Sequence, residues 1–330
     1  MADRQISLLD FEDLSGWAED DHAAALDVFL STCGDMRGAD WSALCALGDA
    51  ARSDPRAFFE HAFRPVLIED GADMLFTGYY EPEIRGDRFP SAYYSIPVYR
   101  LPDPPEAGWP TRQEIDEGAF DGQGLEIAWV HDPLDLFFLQ IQGSGRISLP
   151  GGDAIRLGFA GANGHPYASL GQELVARGEY EPHQVSADVI RSWVRRNGED
   201  GRALLWHNPS YVFFREVNEV PPERGPLGAM NRSVTPLRSI AVDPSVYQLG
   251  APVWIEKAGA DPMARLMIAQ DTGSAITGAQ RADIFYGTGA AAGALAGRIR
   301  DGGRMVALLP IQRAYAMLPD PVPGPGSGDG

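Results

Sequence analysis

Lysine is almost missing from this chain. Its basic residues are arginines apart from Lys257, and 27 basic side chains stand against 46 acidic ones, a formal net charge of −19. That shortage of positive charge excludes a nucleic-acid backbone as partner, because such binding needs a basic footprint. Cysteine is scarce too. Cys33 and Cys45 are the only two, too few for a disulfide framework and without the Cys/His neighbours of a zinc site. They read as buried free thiols, with a single disulfide as the other arrangement. The six histidines, His165 in GANGHPY among them, lack ligand spacing such as H-E-x-x-H, so neither a metal nor a cofactor is expected. No apolar run approaches the ~18 residues of a transmembrane helix. The opening stretch, MADRQISLLDFEDLSGW, lacks the basic start and apolar core of a secretory signal, and taken alone it reads as cytoplasmic or truncated. A Gly-rich phosphate loop and a strand–helix–strand rhythm are also missing, which argues against a doubly wound parallel sheet.

What is present describes an ordinary globular chain of 330 residues, 44% apolar and 22% charged, long enough for two domains. Residues 1–66 look helical. Asp20-Asp21 caps a helix over 22–33, Ala39-Asp40 starts another, and Ser53-Asp54-Pro55 starts a third with proline at its first position. From 65 onward short apolar bursts are broken by Gly and Pro, as in PVLIEDGADMLFTGYYEPEI, which favours strands. Residues 136–148 read as a strand, a Gly-Ser-Gly bend and a second strand. Residues 166–198 return to helix, with 187–196 amphipathic. A second β-rich stretch runs from VTPLRSIAVDPSVYQLGAPVWIE to 305–309, and the Pro/Gly-rich tail PDPVPGPGSGDG is expected to be disordered. No internal repeat is found.

The informative stretch is 266–289, LMIAQDTGSAITGAQRADIFYGTG. An apolar run delivers Asp271 into a small-residue turn, and Asp283 follows in the strand-like Ala282-Asp283-Ile284-Phe285-Tyr286. A loop that doubles back could bring the two acids together. Carboxylates among apolar neighbours are costly when ionised, so such acids are hydrogen-bonded, paired or raised in pKa. D-T-G-S after a strand also resembles the active loop of an aspartic protease, but that chemistry needs two aspartates sharing a proton and the tetrapeptide occurs once. Asp243, in an Asp-Pro turn, reads as structural. Glu126 and Asp135 are conceivable second carboxylates for Asp283, with no spacing that supports either. The aromatic and polar groups of FTGYYEP and QGSG suit the apolar faces and polar rim of a sugar ring, or equally a packed Tyr pair and a hairpin bend.

Nine ordered blocks give the chain away as a whole: FTGYYEPE, IPVYRLP, FFLQIQGSGRI, FAGANGHPYASLG, IRSW, NPSYVFF, SIAVDPS, LGAPVWIE and DTGSAITGAQRADIFYGTG. Over residues 76–289 it resembles the MltA-type membrane-bound lytic murein transglycosylases, whose 3D domain takes its name from three aspartates matched here by Asp243, Asp271 and Asp283. The resemblance implies a mainly β, β-rich α+β fold. A double-psi β-barrel main domain with N-terminal helices would comprise 1–82 and 218–318, a smaller inserted substrate-binding β-barrel 83–217, and a tail 319–330, with the glycan groove between the two barrels.

The implied activity is that of a peptidoglycan lytic exotransglycosylase, a carbon–oxygen lyase. It cleaves the β-1,4 bond between N-acetylmuramic acid and N-acetylglucosamine and leaves a 1,6-anhydromuramoyl end. Asp283 matches the family's catalytic aspartate and Asp271 its second acid, assigned to orienting the loop or tuning Asp283. Thr77, Tyr79, Tyr80, Gln142, Ser144 and Ser274 are the implied substrate-binding residues. Peptidoglycan strands are the expected partner, with cell-wall synthases or scaffolds as further candidates. The family faces the periplasm from the outer membrane as lipoproteins. No signal peptide or lipid-attachment cysteine is visible here, so either the start is trimmed or the chain is exported otherwise; a periplasmic location is expected, with outer-membrane association as the further option and no lipid anchor counted on. A water-using peptidoglycan hydrolase and a non-catalytic glycan-binding module are the alternatives.

Overall fold

The computed structural model describes residues 4–106 and 108–318, so the tail 319–330 lies outside the described residues. In chain order the elements begin with strand β1 (Gln5–Leu8), helices α1 (His22–Thr32), α2 (Ala39–Gly48) and α3 (Pro55–Ala62), then β2 (Phe63–Glu69) and β3 (Leu75–Glu81). There follow β4 (Glu83–Asp87), β5 (Ile96–Tyr99), α4 (Arg112–Asp116), β6 (Glu126–Val130), α5 (Pro133–Gln142), β7 (Gly145–Ser148) and β8 (Ala154–Ala162). Next are α6 (Leu170–Ala176), α7 (Ala187–Arg196), α8 (Gly198–Trp206) and β9 (Val212–Glu216). The last stretch holds β10 (Ser239–Ala241), β11 (Pro252–Lys257), β12 (Met263–Asp271), β13 (Arg281–Thr288), α9 (Gly289–Ala296), β14 (Arg300–Asp301), β15 (Gly303–Pro310) and α10 (Ile311–Ala316). The fold is mixed α/β. The chain divides into two compact units: one takes residues up to Gly78, Gly228–Phe285 and from Ile299 onward, the other Tyr79–Leu227 and Tyr286–Arg298.

The first unit is built on a nine-stranded sheet in the order β1-β2-β15-β11-β12-β10-β13-β3-β14. Its defined pairs are antiparallel except β10 with β12, which is parallel. The N-terminal helices form where their caps demand it. Asp21 accepts a hydrogen bond from the Ala24 amide at 3.0 Å at the start of α1, and Asp54 accepts from Ala57 at 3.1 Å ahead of Pro55 in α3. Their apolar faces bury Phe29, Trp41 and Phe59 against Phe63, Trp254, Leu266, Ile268 and Val306 of the sheet. The ring of Phe29 meets Phe63 edge-on at 5.9 Å, and Trp17 meets Trp254 at 5.1 Å. Residues 5–8, expected to be helical, instead pair antiparallel with 66–69 as the edge strand β1.

Cys33 caps α1 and Cys45 lies in α2, with Cα atoms 5.5 Å apart and the sulfurs joined in a disulfide. This corrects the expectation of buried free thiols. The turn between α1 and α2 doubles the chain back, which brings both half-buried residues within bridging reach. Lys257 is fully buried at its side chain and paired with Asp301 at 2.7 Å.

The second unit holds a six-stranded sheet, β5-β6-β4-β7-β8-β9, antiparallel except for the parallel pair β4–β7. Residues 136–142, expected to be a strand, belong to helix α5. The reason is local. The Asp132 carboxylate accepts from the Leu134 amide at 2.8 Å, Pro133 occupies the first turn, and Gly143, at φ +73°, closes the far end by donating to Leu139 O at 3.0 Å. These end signals outweigh the β preference of FFLQI, and the helix buries Leu134, Leu136, Phe137 and Leu139.

Glu81 is a fully buried acid in this unit. Its Oε2 accepts from Arg146 Nε at 2.9 Å and from the Thr288 hydroxyl at 2.7 Å, and its Oε1 faces Arg156 Nε at 3.2 Å. Arg156 continues to the carbonyls of Pro221 and Pro222, both at 3.1 Å, and Arg146 to that of Arg224 at 3.2 Å. One carboxylate thus ties β3, β7, β8, the cap of α9 and the 221–224 segment together.

Removing that carboxylate leaves two arginines uncompensated. Glu81→Ala is expected to lower unfolding free energy by about 3–5 kcal/mol in a urea titration. Cys33→Ala with Cys45→Ala is expected to lower it by about 2–4 kcal/mol, an effect that reductant reproduces in the parent protein and not in the variant.

Candidate active site

The period of two along β13 puts Arg281 and Asp283 on one face, while Ala282 and Ile284 turn into the core and are fully buried. On the Asp283 face the neighbouring strand β3 presents Thr77, whose hydroxyl donates to Asp283 Oδ1 at 2.6 Å. Arg281 Nη2 donates to the same hydroxyl oxygen at 2.8 Å. Its Nη1 donates to the carbonyls of Leu75 at 3.3 Å and Ala282 at 2.6 Å, which fixes the plane of the guanidinium.

Burial pushes the Asp283 carboxyl above the usual aspartate range. The Thr77 hydrogen bond and the positive charge of Arg281 favour the carboxylate and offset only part of that push. Burial likewise lowers the Arg281 guanidinium, against the attraction of Asp283. The chemical result is an acid that holds its proton to higher pH than an exposed aspartate, yet whose ionised form has a donor and a nearby cation waiting.

The loop entering β13 is strapped from several directions. Asp243 Oδ2 accepts from the Gly278 amide at 2.8 Å while its Oδ1 accepts from Ser245 at 2.8 Å. Burial works against the Asp243 carboxylate, but these amide bonds win and hold it below the usual range. Asp70 Oδ2 accepts from Ala279 at 2.7 Å, and the buried Tyr247 hydroxyl donates to Ala279 O at 2.6 Å. Gln280 donates to Ile68 O at 2.8 Å and Met305 O at 3.1 Å. Gly278 itself sits at φ +105°, where a side chain would be strained and its Cβ would press on Asp70 Oδ2 at 3.1 Å.

Asp271 and Asp283 are brought level but not together. Each is registered against Ala241 of β10, Asp271 from β12 and Asp283 from β13, so one strand stands between them. Two strand spacings put their Cα atoms about 10 Å apart, too far for the shared proton of an aspartic protease. Asp271 Oδ1 instead accepts from the amides of Ala229 at 3.0 Å and Thr272 at 2.9 Å. Ser274 is exposed in the turn closed by Ile276 N donating to Gly273 O at 2.9 Å.

The remaining sequence-derived residues lie in the second unit. Tyr80 and Gln142 meet there, the Tyr80 amide donating to Gln142 Oε1 at 3.0 Å, and the Tyr80 ring packs beside Gly293 of α9. Tyr79 and Ser144 are buried. Asp135 is engaged with Arg191 at 2.9 Å. Among the described residues no group of three or more His, Cys, Asp or Glu side chains gathers as a metal would require.

Arg281 escaped the sequence reading, although its signal was available. In QRADIF it stands two residues before Asp283, and alternation in a strand places i and i+2 on one face. Asp70 and Gln280 carried no comparable signal, because they act through partners far away in sequence.

A raised folded-state pKa means that, between the unfolded and folded values, the folded state keeps a proton the unfolded state has released. Stability from Asp283 is therefore complete below the unfolded pKa and is lost as pH rises through the folded one. Asp283→Asn, which does not titrate, is expected to be more stable than the parent at pH 8. That advantage should vanish in acid, as followed by thermal unfolding across pH.

Comparison with known proteins points to one family. Residues 75–215 match the MltA specific insert domain and residues 238–309 the 3D domain. The chain is 35% identical over 285 residues to the membrane-bound lytic murein transglycosylase A of Vibrio cholerae, spanning 81% of this chain and 76% of the relative. A crystal structure of the membrane-bound lytic murein transglycosylase from Agrobacterium tumefaciens superposes with a TM-score of 0.83 at 33% identity, covering 94% of this chain and 99% of that one. E. coli MltA, solved with bound chitohexaose, superposes with a TM-score of 0.76 at 28% identity, covering 90% of each chain. The chain belongs to the family of membrane-bound lytic murein transglycosylase A.

Proposed function

We propose that this protein is a peptidoglycan-cleaving lytic transglycosylase in which Asp283 is both general acid and general base. The observation that carries this reading is the half-buried Asp283 carboxyl, raised in pKa and hydrogen-bonded to Thr77, within a chain of this family. Protonated Asp283 gives its proton to the glycosidic oxygen between N-acetylmuramic acid and N-acetylglucosamine as the C–O bond breaks. The carboxylate then takes the proton from the muramoyl 6-hydroxyl as that oxygen attacks the anomeric carbon, leaving a 1,6-anhydro end. The nucleophile is part of the substrate, so its effective concentration is high and no second carboxylate is needed to activate water. That separates this plan from the two-carboxylate plan of glycoside hydrolases.

In this reading Asp271 keeps the loops at 229 and 272 in place and takes no part in proton transfer. Thr77 sets the Asp283 carboxyl, and Tyr79, Tyr80, Gln142, Ser144 and Ser274 serve the glycan. The crossed strand order of the nine-stranded sheet, with its parallel β10–β12 pair, supports reading the first unit as a double-psi β-barrel. The Cys33–Cys45 bridge and the membrane-bound relatives support a periplasmic location, where disulfides persist and the substrate lies. Among the described residues no helix is long and apolar enough to cross a membrane.

Purified protein incubated with isolated sacculi is expected to release muropeptides lighter than the reducing-end forms by the mass of one water. Reducing ends would mean a hydrolase, and retained binding without release would mean a binding module. Asp283→Asn is expected to lower turnover by about 10²–10⁴-fold with glycan binding intact. Turnover above a tenth of the parent's would remove Asp283 from its role.

A further inference from the structure

We infer that Arg281 is a positioning residue that sets the direction of the Thr77–Asp283 hydrogen bond and so reserves Asp283 Oδ2 for the proton that is transferred. The inference rests on the reading of Asp283 as the catalytic acid. A threonine hydroxyl has one hydrogen to give and two lone pairs to accept with. Arg281 Nη2 occupies one of those lone pairs at 2.8 Å with a charged donor. A cation there draws electron density from the oxygen, which weakens it as an acceptor and strengthens its O–H as a donor. The acceptor within reach of that hydrogen is Asp283 Oδ1 at 2.6 Å. Oδ1 therefore accepts whether the carboxyl is charged or neutral, and the acidic proton resides on Oδ2.

Arg281 cannot itself supply the proton, because a guanidinium does not give one up in this pH range. Its grip on the Leu75 and Ala282 carbonyls keeps the fork from swinging onto Asp283. A direct bidentate pair would stabilise the carboxylate too far for a general acid. The charge is held at one remove instead, acting through the Thr77 hydroxyl. Among the described residues, the further charged group facing this cluster is Arg300 of β14, registered opposite Thr77 and acting on Arg281. Strand β3 contributes Thr77, and β10 opposes β13 here with Ile240 and Ala241, which do not titrate.

The test uses full-length Arg281→Gln, Arg281→Lys, Thr77→Val and the Thr77→Val/Arg281→Gln double variant. Asp283 is titrated by NMR in protein carrying labelled aspartate carboxyl carbons, its signal identified by loss in Asp283→Asn. Turnover is measured on a soluble glycan. Arg281→Gln is expected to move the Asp283 titration to higher pH, since a charge favouring the carboxylate is gone. The falling alkaline limb of activity should shift with it, and kcat should drop about tenfold to a hundredfold at little change in KM. Arg281→Lys should keep the titration near its parent position but recover only part of kcat, because an ammonium lacks the planar fork. In the Thr77→Val background, Arg281→Gln should cost little further kcat.

An unmoved titration in Arg281→Gln overturns the inference, as does an equal kcat loss in the Thr77→Val background. Full recovery by Arg281→Lys overturns the role of the fork, and that variant decides if Arg281→Gln fails to fold. The titration needs no substrate. A protein that binds glycan without cutting it would sink the proposed reaction and still leave the Arg281–Thr77–Asp283 linkage measurable.

Discussion

The constraint on which this structure turns is the partial burial of one carboxyl, Asp283, with the Thr77 hydroxyl as its donor. Burial favours the neutral acid, and the Thr77 bond with the Arg281 charge favours the carboxylate. A group asked to give a proton and take it back must be stable enough in both forms, so neither influence can dominate. Full burial without Thr77 would leave an acid unwilling to ionise. A direct arginine pair would leave a carboxylate unwilling to be protonated.

Holding such a group within hydrogen-bond tolerance is the task of the surrounding strands. The stabilising energy comes from elsewhere, chiefly the aromatic layer of Phe29, Trp41, Phe59, Phe63 and Trp254 between the helices and the sheet. The positioning comes from polar straps. Asp70, just after β2, and Asp243 and Tyr247, in the turn after β10, converge on residues 278–279, while Gln280 reaches out to Ile68 of β2 and Met305 of β15, so the start of β13 has little freedom. Asp271 performs the same service one strand over, with its oxygen on the amides of Ala229 and Thr272. The three aspartates of the motif thus divide into two that bind backbone and one that does not.

Much of this could be read from the residues. The caps at Asp21 and Asp54, the amphipathic 187–196 helix and the strands flanking 272–280 follow local rules, and they form as those rules require. The failures were also local in origin. Leu136–Gln142 carries β-prone side chains, while the stronger signals, Asp132-Pro133 and Gly143, stand at its ends. The number of cysteines says little about Cys33 and Cys45, because their pairing depends on how α1 turns into α2. Among the site residues, Asp283 stood out because apolar neighbours surround it in sequence. Its contact with Thr77, 206 residues away, is a product of strand order, which periodicity does not encode. Arg281 lay between these cases, legible only once 281–288 was taken as one strand.

A raised carboxyl pKa is not by itself a mark of catalysis in this chain. Burial raises Asp116 as well, yet its Oδ2 is held by the Trp206 indole N–H at 2.9 Å at the end of a short helix in the second unit. Glu81 is buried as deeply as any acid here, and it meets two guanidinium groups and a hydroxyl directly. Glu81 is committed to its two arginines, and Asp116 has its Oδ2 held by Trp206 with Arg112 and Arg202 as nearby cations. Asp283 differs from Glu81 in what its neighbours leave undone. One oxygen is held by Thr77, the cation is kept a bond away, and the second oxygen keeps its capacity for a proton. Glu81 is a carboxylate committed to direct ion pairs, whereas Asp283, whose cation acts through the Thr77 hydroxyl, keeps the means to change its protonation state.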